Sequence, residues 1–254
     1  MMVLKADKIT KIYSGTDDAS STNALNGVDI SIDEGEFVGV MGPSGSGKTT
    51  LLNILSGLDK PTTGTVEIDG RQISAMSRDE LALFRRSKMG FVFQEFNLLD
   101  SLTIKENIVL PLVLGKSAPD EIDRAARELM YLLDIKEIAD KYPYHASGGQ
   151  QQRAAVGRAL ANNPAVIFAD EPTGNLDSRS SRVIMEYFQK VNEKKKATIL
   201  MVTHDPFAAS FCKRVIFIKD GMIHMEIVTK GTRKELFDNI LDCLAVLGGE
   251  RYDV

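Results

Sequence analysis

The sequence predicts an α/β protein whose sheet-bearing core is interrupted by an inserted helical lobe. Three observations carry this expectation. Phe37–Met41, Val166–Ala169 and Thr198–Val202 are short continuous apolar runs, the pattern of strands buried on both faces. From Leu98 to Leu160 the apolar residues recur at helical spacing. Strand-like segments flank that stretch on both sides, so the lobe is an insertion and not a separate downstream domain.

The elements follow in order. Met1 to Lys11, with Val3, Ile9 and Ile12 among polar residues, has the look of a strand and not of a signal peptide. Residues 14–23 are polar and predict a surface loop. Val28, Ile30 and Ile32 alternate strictly, which marks a half-buried strand. Asp33-Glu34-Gly35-Glu36 is a turn, and Phe37–Met41 then runs directly into glycines. Thr65–Ile68 is a strand closed by the hairpin turn Asp69-Gly70. Proline and acids at Pro119, Asp120 and Glu121 start a helix whose apolar face is Ile122, Ala125, Ala126, Leu129, Leu132 and Leu133. A second helix, Ala154–Ala161, is stopped by Asn162-Asn163-Pro164. Arg179–Lys190 is the crossover between two buried strands. Val215–Ile218 and Met222–Val228 form a hairpin around Asp220-Gly221. The tail, Glu235–Leu247, is amphipathic, with Leu236, Phe237, Ile240, Leu241, Leu244 and Leu247 on one side.

Composition narrows the function classes. A length of 254 residues suits one large domain or one domain with an inserted lobe. The net charge of −4 supplies no global basic field, so nucleic acid is not expected as a partner. Cys212 and Cys243 have neither disulfide nor metal-ligand spacing and suit a reducing compartment. No apolar run approaches the ~18–20 residues that span a bilayer, so any membrane role is expected to come through a partner.

The chemistry concentrates at Gly42-Pro-Ser-Gly-Ser-Gly-Lys-Thr-Thr50, which matches G-x-x-x-x-G-K-[ST] between a buried strand and a helix. In such a loop the backbone amides of residues such as Ser44, Gly45, Ser46 and Gly47 converge on phosphate oxygens, and the helix N-terminus adds positive partial charge. Lys48 is expected on the β- and γ-phosphates, Thr49 on Mg²⁺, and Thr50 beside them. The expected ligands are therefore ATP and Mg²⁺. Val166–Ala169 ends in Asp170 and Glu171, at the sheet edge where the phosphate loop also lies. Asp170 is expected to hold the metal and Glu171 to polarise the attacking water. Ser147-Gly148-Gly149-Gln150 precedes a helix and fits a capping box. The same residues expose amides that can form a second anion site. If the two phosphate-binding features cannot meet within one chain, a second copy must complete each site.

Together these residues resemble the nucleotide-binding subunit of an ABC transporter over nearly the whole chain. The matching motifs are Walker A (Gly42–Thr49), a Q-loop (Phe91-Val-Phe-Gln94), a signature (Ala146-Ser-Gly-Gly-Gln150), Walker B (Val166–Glu171), a D-loop (Asn175-Leu176-Asp177) and an H-loop (Thr203-His204-Asp205), all in the family's order. The signature usually begins with Leu, and Ala146 stands there in this chain. The resemblance implies a P-loop NTPase core, with a mostly parallel sheet and an antiparallel β subdomain, formed by residues 1–95 and 161–230. Residues 96–160 would be the inserted helical subdomain, and 231–254 a C-terminal amphipathic extension. It further implies that Tyr13 stacks on adenine, against the alternative of plain strand packing. Gln94 would sense the γ-phosphate or ligate the metal, His204 would reach the γ-phosphate, and Asp177 would lie near a seam between copies. The catalytic set is then Lys48, Gln94, Glu171 and His204.

Within the family, His204-Asp-Pro-Phe-Ala-Ala-Ser-Phe-Cys212, Arg214-Val-Ile-Phe-Ile-Lys-Asp-Gly221 and Val246-Leu-Gly-Gly249 are similar to bacitracin-type antimicrobial-peptide resistance transporters. Other stretches resemble the macrolide-export and lipoprotein-release branch. The implied partners are a second copy in a head-to-tail dimer, a membrane permease at the cytoplasmic face and, through the permease, a sensor histidine kinase. Phe96, Leu98 and Leu99 would lie near the permease contact or be ordinary core. The rival readings are a soluble ABC ATPase without a permease and a catalytically dead ATP-binding module.

Overall fold

The structure is a computed structural model that describes residues 1–14 and 21–248. Gly249 and the rest of the C-terminal extension beyond residue 248 lie outside the described residues, as do residues 15–20 of the expected polar loop.

Two sheets build the core. β1 (Met2–Ser14), β2 (Ser21–Asp33), β4 (Thr63–Ile68) and β5 (Arg71–Gln72) form an antiparallel sheet in the order β2-β1-β4-β5. The larger sheet contains β3 (Phe37–Met41), β6 (Met89–Val92), β7 (Val166–Asp170), β8 (Ile199–Val202), β9 (Arg214–Lys219) and β10 (Met222–Val228), in the order β10-β9-β3-β8-β7-β6. Its strands are parallel except for β10, which returns antiparallel on β9.

The central strands alternate between two cores, which is why they read as unbroken apolar runs. Phe37, Met41, Ile167, Ala169, Ile199, Met201, Val215 and Phe217 face one core. Val38, Val40, Phe168, Leu200, Val202, Ile216 and Ile218 face the other. The second core also holds α1 (Lys48–Leu55) and the inner face of the antiparallel sheet. The first holds α3 (Ile104–Leu114), α4 (Pro119–Leu132), α5 (Gly148–Leu160), α6 (Ser178–Lys195), α7 (Pro206–Ala209) and α8 (Arg233–Gly248). No helix among the described residues is long and apolar enough to cross a membrane.

Several sequence expectations are corrected. The stretch 14–23 is not all loop: Ser14, Tyr13 and Ile12 pair with Ser21, Thr22 and Asn23, so polar residues extend the β1–β2 ladder. Helical structure begins at Ile104 and not at Leu98, because Thr103 and Glu106 form a reciprocal capping box there. α2 (Arg78–Lys88) was not anticipated, although Ser77 and Glu80 carry the same signal. In the tail, Leu236, Ile240 and Leu247 are buried as expected, but Leu241 is exposed.

Candidate functional site

Register brings the motifs together. Val40 lies beside Val202, and Val202 beside Asp170, while Val92 pairs with Ala169. β3, β8, β7 and β6 thus end in line, and the segments that follow them share one carboxyl edge. Those segments are Gly42–Thr50, Thr203–His204, Asp170–Glu171 and Phe93–Gln94.

The phosphate loop is compact for a steric reason. A Cβ added at Gly42 would sit 2.0 Å from the Ile218 carbonyl oxygen, and one at Gly47, where φ is +100°, would sit 2.5 Å from that of Ala24. At Gly45, where φ is +76°, an added Cβ would meet nothing within 4 Å. Gly47 caps α1 without a side-chain partner, leaving the helix's first amides available for an anion. Lys48 folds over the loop and donates to the Gly42 and Pro43 carbonyls at 2.9 and 2.8 Å. Burial pushes its pKa down, opposed by the charges of Glu171 and Asp170.

Asp170 responds to the same neighbourhood. Burial and the adjacent Glu171 raise its carboxyl above the ordinary range, against the pull of Lys48. Its Oδ1 is buried without a hydrogen-bond partner, as is the Ser46 hydroxyl, while Thr49 at the start of α1 is exposed. A buried carboxylate oxygen with no donor suits a hard cation that takes oxygen ligands. Glu171 adopts φ +44°, and its side chain reaches His204. The Glu171 carboxylate accepts from the His204 backbone N–H at 3.1 Å and lies 2.8 Å from its Nδ1.

Gln94 lies elsewhere along the edge. Its amide donates to Asn175 Oδ1 at 2.9 Å, Asn175 donates back to the Gln94 carbonyl at 3.2 Å, and Gly174 leaves room for the side chain. No hydrogen bond joins Gln94 to Asp170 or Thr49 among the described residues. Asp177 caps α6, accepting from the Arg179 and Ser180 amides and, at 2.7 Å, from the Ser180 hydroxyl. Those bonds, the Ser180 amide's foremost, hold its carboxyl below the usual range. Tyr13 is exposed on β1, and its hydroxyl donates to Asp59.

Ser147 and Gln150 form the expected capping box, with the Ser147 hydroxyl accepting from the Gln150 amide and the Gln150 side chain from the Ser147 amide. Gly148 approaches Leu176 and Phe96, and Gly149 approaches Ser180. Ala146 packs half-buried against the first core. The capped end belongs to α5, whose Ala154, Val156, Ala159 and Leu160 lie in that core, whereas Leu51, Leu52, Ile54 and Leu55 of α1 lie in the second. The two candidate anion-binding helix starts therefore belong to helices on opposite faces of the large sheet.

Sequence reasoning missed Gln152. It is fully buried on α5, and its amide donates to the Phe93 carbonyl at 3.2 Å and the Pro172 carbonyl at 2.6 Å. Arg158, one helical stretch on, donates to the Phe96 carbonyl at 2.9 Å and to that of Asn97. α5 is thus bound to the segments following both β6 and β7. A glutamine in a polar run gives no signal of burial, so only the fold reveals this role.

The protein-family model described as ABC transporter matches residues 25–174. The chain is 53% identical over 253 residues to an uncharacterized ABC transporter ATP-binding protein, YvcR, of Bacillus subtilis, covering 100% of this chain and 98% of that one. It is 49% identical over 255 residues to the bacitracin export ATP-binding protein BceA of Halalkalibacterium halodurans, covering all of both. The fold matches a dimeric, post-hydrolysis structure of the ATP-binding cassette MJ0796 bound to ADP and Pi, with a TM-score of 0.80 and 44% identity over 90% of this chain and 99% of that one.

Proposed function

Because the chain belongs to the ABC transporter family, as an ATP-hydrolysing subunit of such a transporter, we propose that it works as a head-to-tail pair holding two ATP molecules between two copies. The carrying observation is that α1 and α5 lie on opposite faces of the sheet, so the capped start of α5 is not built against its own phosphate loop. In this reading Ser147, Gly148, Gly149 and Gln150 of one copy meet the γ-phosphate held at Gly42–Thr50 of the other, with Asp177 near the seam. The dimeric cassette with which the fold aligns supports the arrangement.

Each residue then has a task. Ser44, Gly45, Ser46, Gly47, Lys48 and Thr50 hold the phosphates, and Tyr13 stacks on adenine. Mg²⁺, held by Asp170 and Thr49 and approached by Gln94, would neutralise charge on the triphosphate. Glu171 takes the proton of the attacking water as general base. His204, tied to Glu171, faces the γ-phosphate. Residues 1–95 and 161–230 carry the nucleotide, 96–160 carry the signal to a partner, and 231–254 are the C-terminal amphipathic extension. In the Glu171→Gln variant, which retains ATP, light scattering should show nucleotide-dependent dimers. Adding Ser147→Arg should abolish the dimers while ATP still binds. A chain that stays monomeric with saturating ATP overturns the reading.

The partner is a membrane permease at the cytoplasmic face. A groove of about 410 Å³ between core and lobe has an apolar floor including Phe91, Phe93, Leu110 and Pro111. Arg85, Arg86 and Arg158 line it and donate only to the carbonyls of Gly57, Leu114, Phe96 and Asn97. None of the three pairs with a carboxylate among the described residues, so a cytoplasmic permease helix bearing acids suits the groove. Leu98 packs half-buried against the core, whereas Leu99 is exposed and available to such a helix. Arg86→Glu should abolish co-purification with the permease and leave the isolated chain's ATPase rate unchanged; retained co-purification would remove the groove from this role.

The likeness to a bacitracin export protein supports antimicrobial-peptide resistance as the biological output, with a sensor histidine kinase coupled through the permease. Expression with the permease should raise bacitracin tolerance, and Glu171→Gln should return it to baseline. Unchanged tolerance with an active ATPase would point to a different cargo.

A further inference from the structure

We propose that Asp59 is a positioning residue for ATP, holding the Tyr13 ring ready for adenine and tying it to the helix that carries the phosphate loop. The inference rests on Tyr13 being the base platform, as read above. The Tyr13 hydroxyl donates to Asp59 Oδ2 at 2.9 Å. Lys11 Nζ donates to Asp59 Oδ1 at 2.8 Å and stands over the Tyr13 ring, 4.8 Å from its centroid. The ring is therefore held at its tip by the carboxylate and against one face by a cation, while 41% of the residue stays exposed.

The anchor is itself fixed. The Asp59 amide donates to the Asn53 carbonyl at 3.0 Å, within the turn that closes α1. Lys11 also donates to the Lys60 carbonyl at 2.8 Å, the Ile12 amide donates to the Thr62 hydroxyl at 3.0 Å, and the Thr62 amide to the Thr10 carbonyl at 2.8 Å. Residues 59–62 thus clamp the C-terminal part of β1. Tyr13 pairs with Thr22, two residues from Ala24, whose carbonyl lies against Gly47 of the phosphate loop. Burial alone would push the Asp59 carboxyl up, but the bonds from Lys11, Tyr13 and the Lys60 amide outweigh it and hold it below the usual range. It therefore remains an ionised acceptor at neutral pH.

A ring ordered before the ligand arrives spares the entropy of ordering it on binding, worth roughly two- to tenfold in affinity for one side chain. Calorimetric titration of the full chain with ATP and, separately, with inorganic tripolyphosphate tests this. Tyr13→Phe, which keeps the ring, and Asp59→Asn should each weaken ATP roughly two- to tenfold. The double variant should be no weaker than the worse single one, and tripolyphosphate, which has no base, should bind all of them as it binds the wild type. Tyr13→Phe and Asp59→Asn binding ATP normally while Tyr13→Ala does not would overturn the anchor and leave the base platform standing. Equal losses for ATP and tripolyphosphate would reduce Asp59 to a structural strut. Normal ATP binding by Tyr13→Ala would instead overturn the platform reading.

Discussion

Glu171 and His204 are joined at two points, the carboxylate accepting from the His204 backbone amide at 3.1 Å and lying 2.8 Å from its Nδ1. The two residues follow adjacent strands, β7 and β8, and the contact crosses from one strand end to the next. A carboxylate held this way has a fixed direction before any substrate water arrives, which is what a general base requires.

Glu171→Gln keeps the shape and the contact to the His204 amide but cannot take a proton. Its turnover should fall about 10²- to 10⁴-fold, with ATP affinity retained. Phosphate release at the wild-type rate would exclude Glu171 as the base. His204→Ala should also slow phosphate release while sparing ATP binding, because the ring contact is lost and only the backbone amide still orients the carboxylate.

Asp170 makes the nucleotide-free protein pH-sensitive. Its folded pKa lies above the ordinary value of 3.8 because of burial and Glu171. The folded state therefore holds a proton that the unfolded state releases, and stability declines as pH rises from about that value through the raised pKa. Asp170→Asn should flatten this part of the stability curve and raise Tm above it, while weakening binding of Mg²⁺ with ATP. Calorimetric melts from acid to neutral pH, without nucleotide, check the sign; a steeper decline in the variant would contradict it.

Gln152 satisfies two carbonyls on separate segments from within the core. Gln152→Leu leaves both without that donor and should cost about 2–4 kcal/mol. Denaturant unfolding measures this as a lower midpoint at unchanged slope. A loss under about 0.5 kcal/mol would mean the carbonyls find other donors.

Gly47 has room for no side chain. Gly47→Ala places a methyl 2.5 Å from the Ala24 carbonyl oxygen at a φ that only glycine adopts freely. Such strain costs about 1–3 kcal/mol, and it falls on the loop that cradles phosphate. ATP binding should drop at least tenfold by titration; normal affinity would show that the loop can shift without consequence.

The phosphate loop, the acid pair and the strand-helix alternation were legible because each is local. Gly42–Thr50 needs only contiguous backbone with glycines at set positions, and Val166–Glu171 needs only an apolar run that ends in acids. The capping box at Ser147 spans four residues, Ser147 to Gln150, so it could be read directly. Polar segments were harder: Ser21–Asn23 looks like loop but is strand, because ladder hydrogen bonds and not side-chain burial hold it. Leu241 shares its neighbours' spacing yet faces outward, because the packing partners of α8 decide which part of its apolar face is covered.

What the sequence determined by itself was therefore the order and spacing of the candidate groups along the backbone: the glycine-rich loop, the acid pair and the capped, glycine-containing helix start. Tertiary structure decided which of these groups meet. Glu171 reaches His204, Gln94 reaches Asn175, and Tyr13 reaches Asp59 across long gaps in sequence. Each pairing follows from strand order and register, which are set by how both faces of a buried sheet are covered at once. The same layering sends the starts of α1 and α5 to opposite faces, a consequence that no local pattern in the chain encodes.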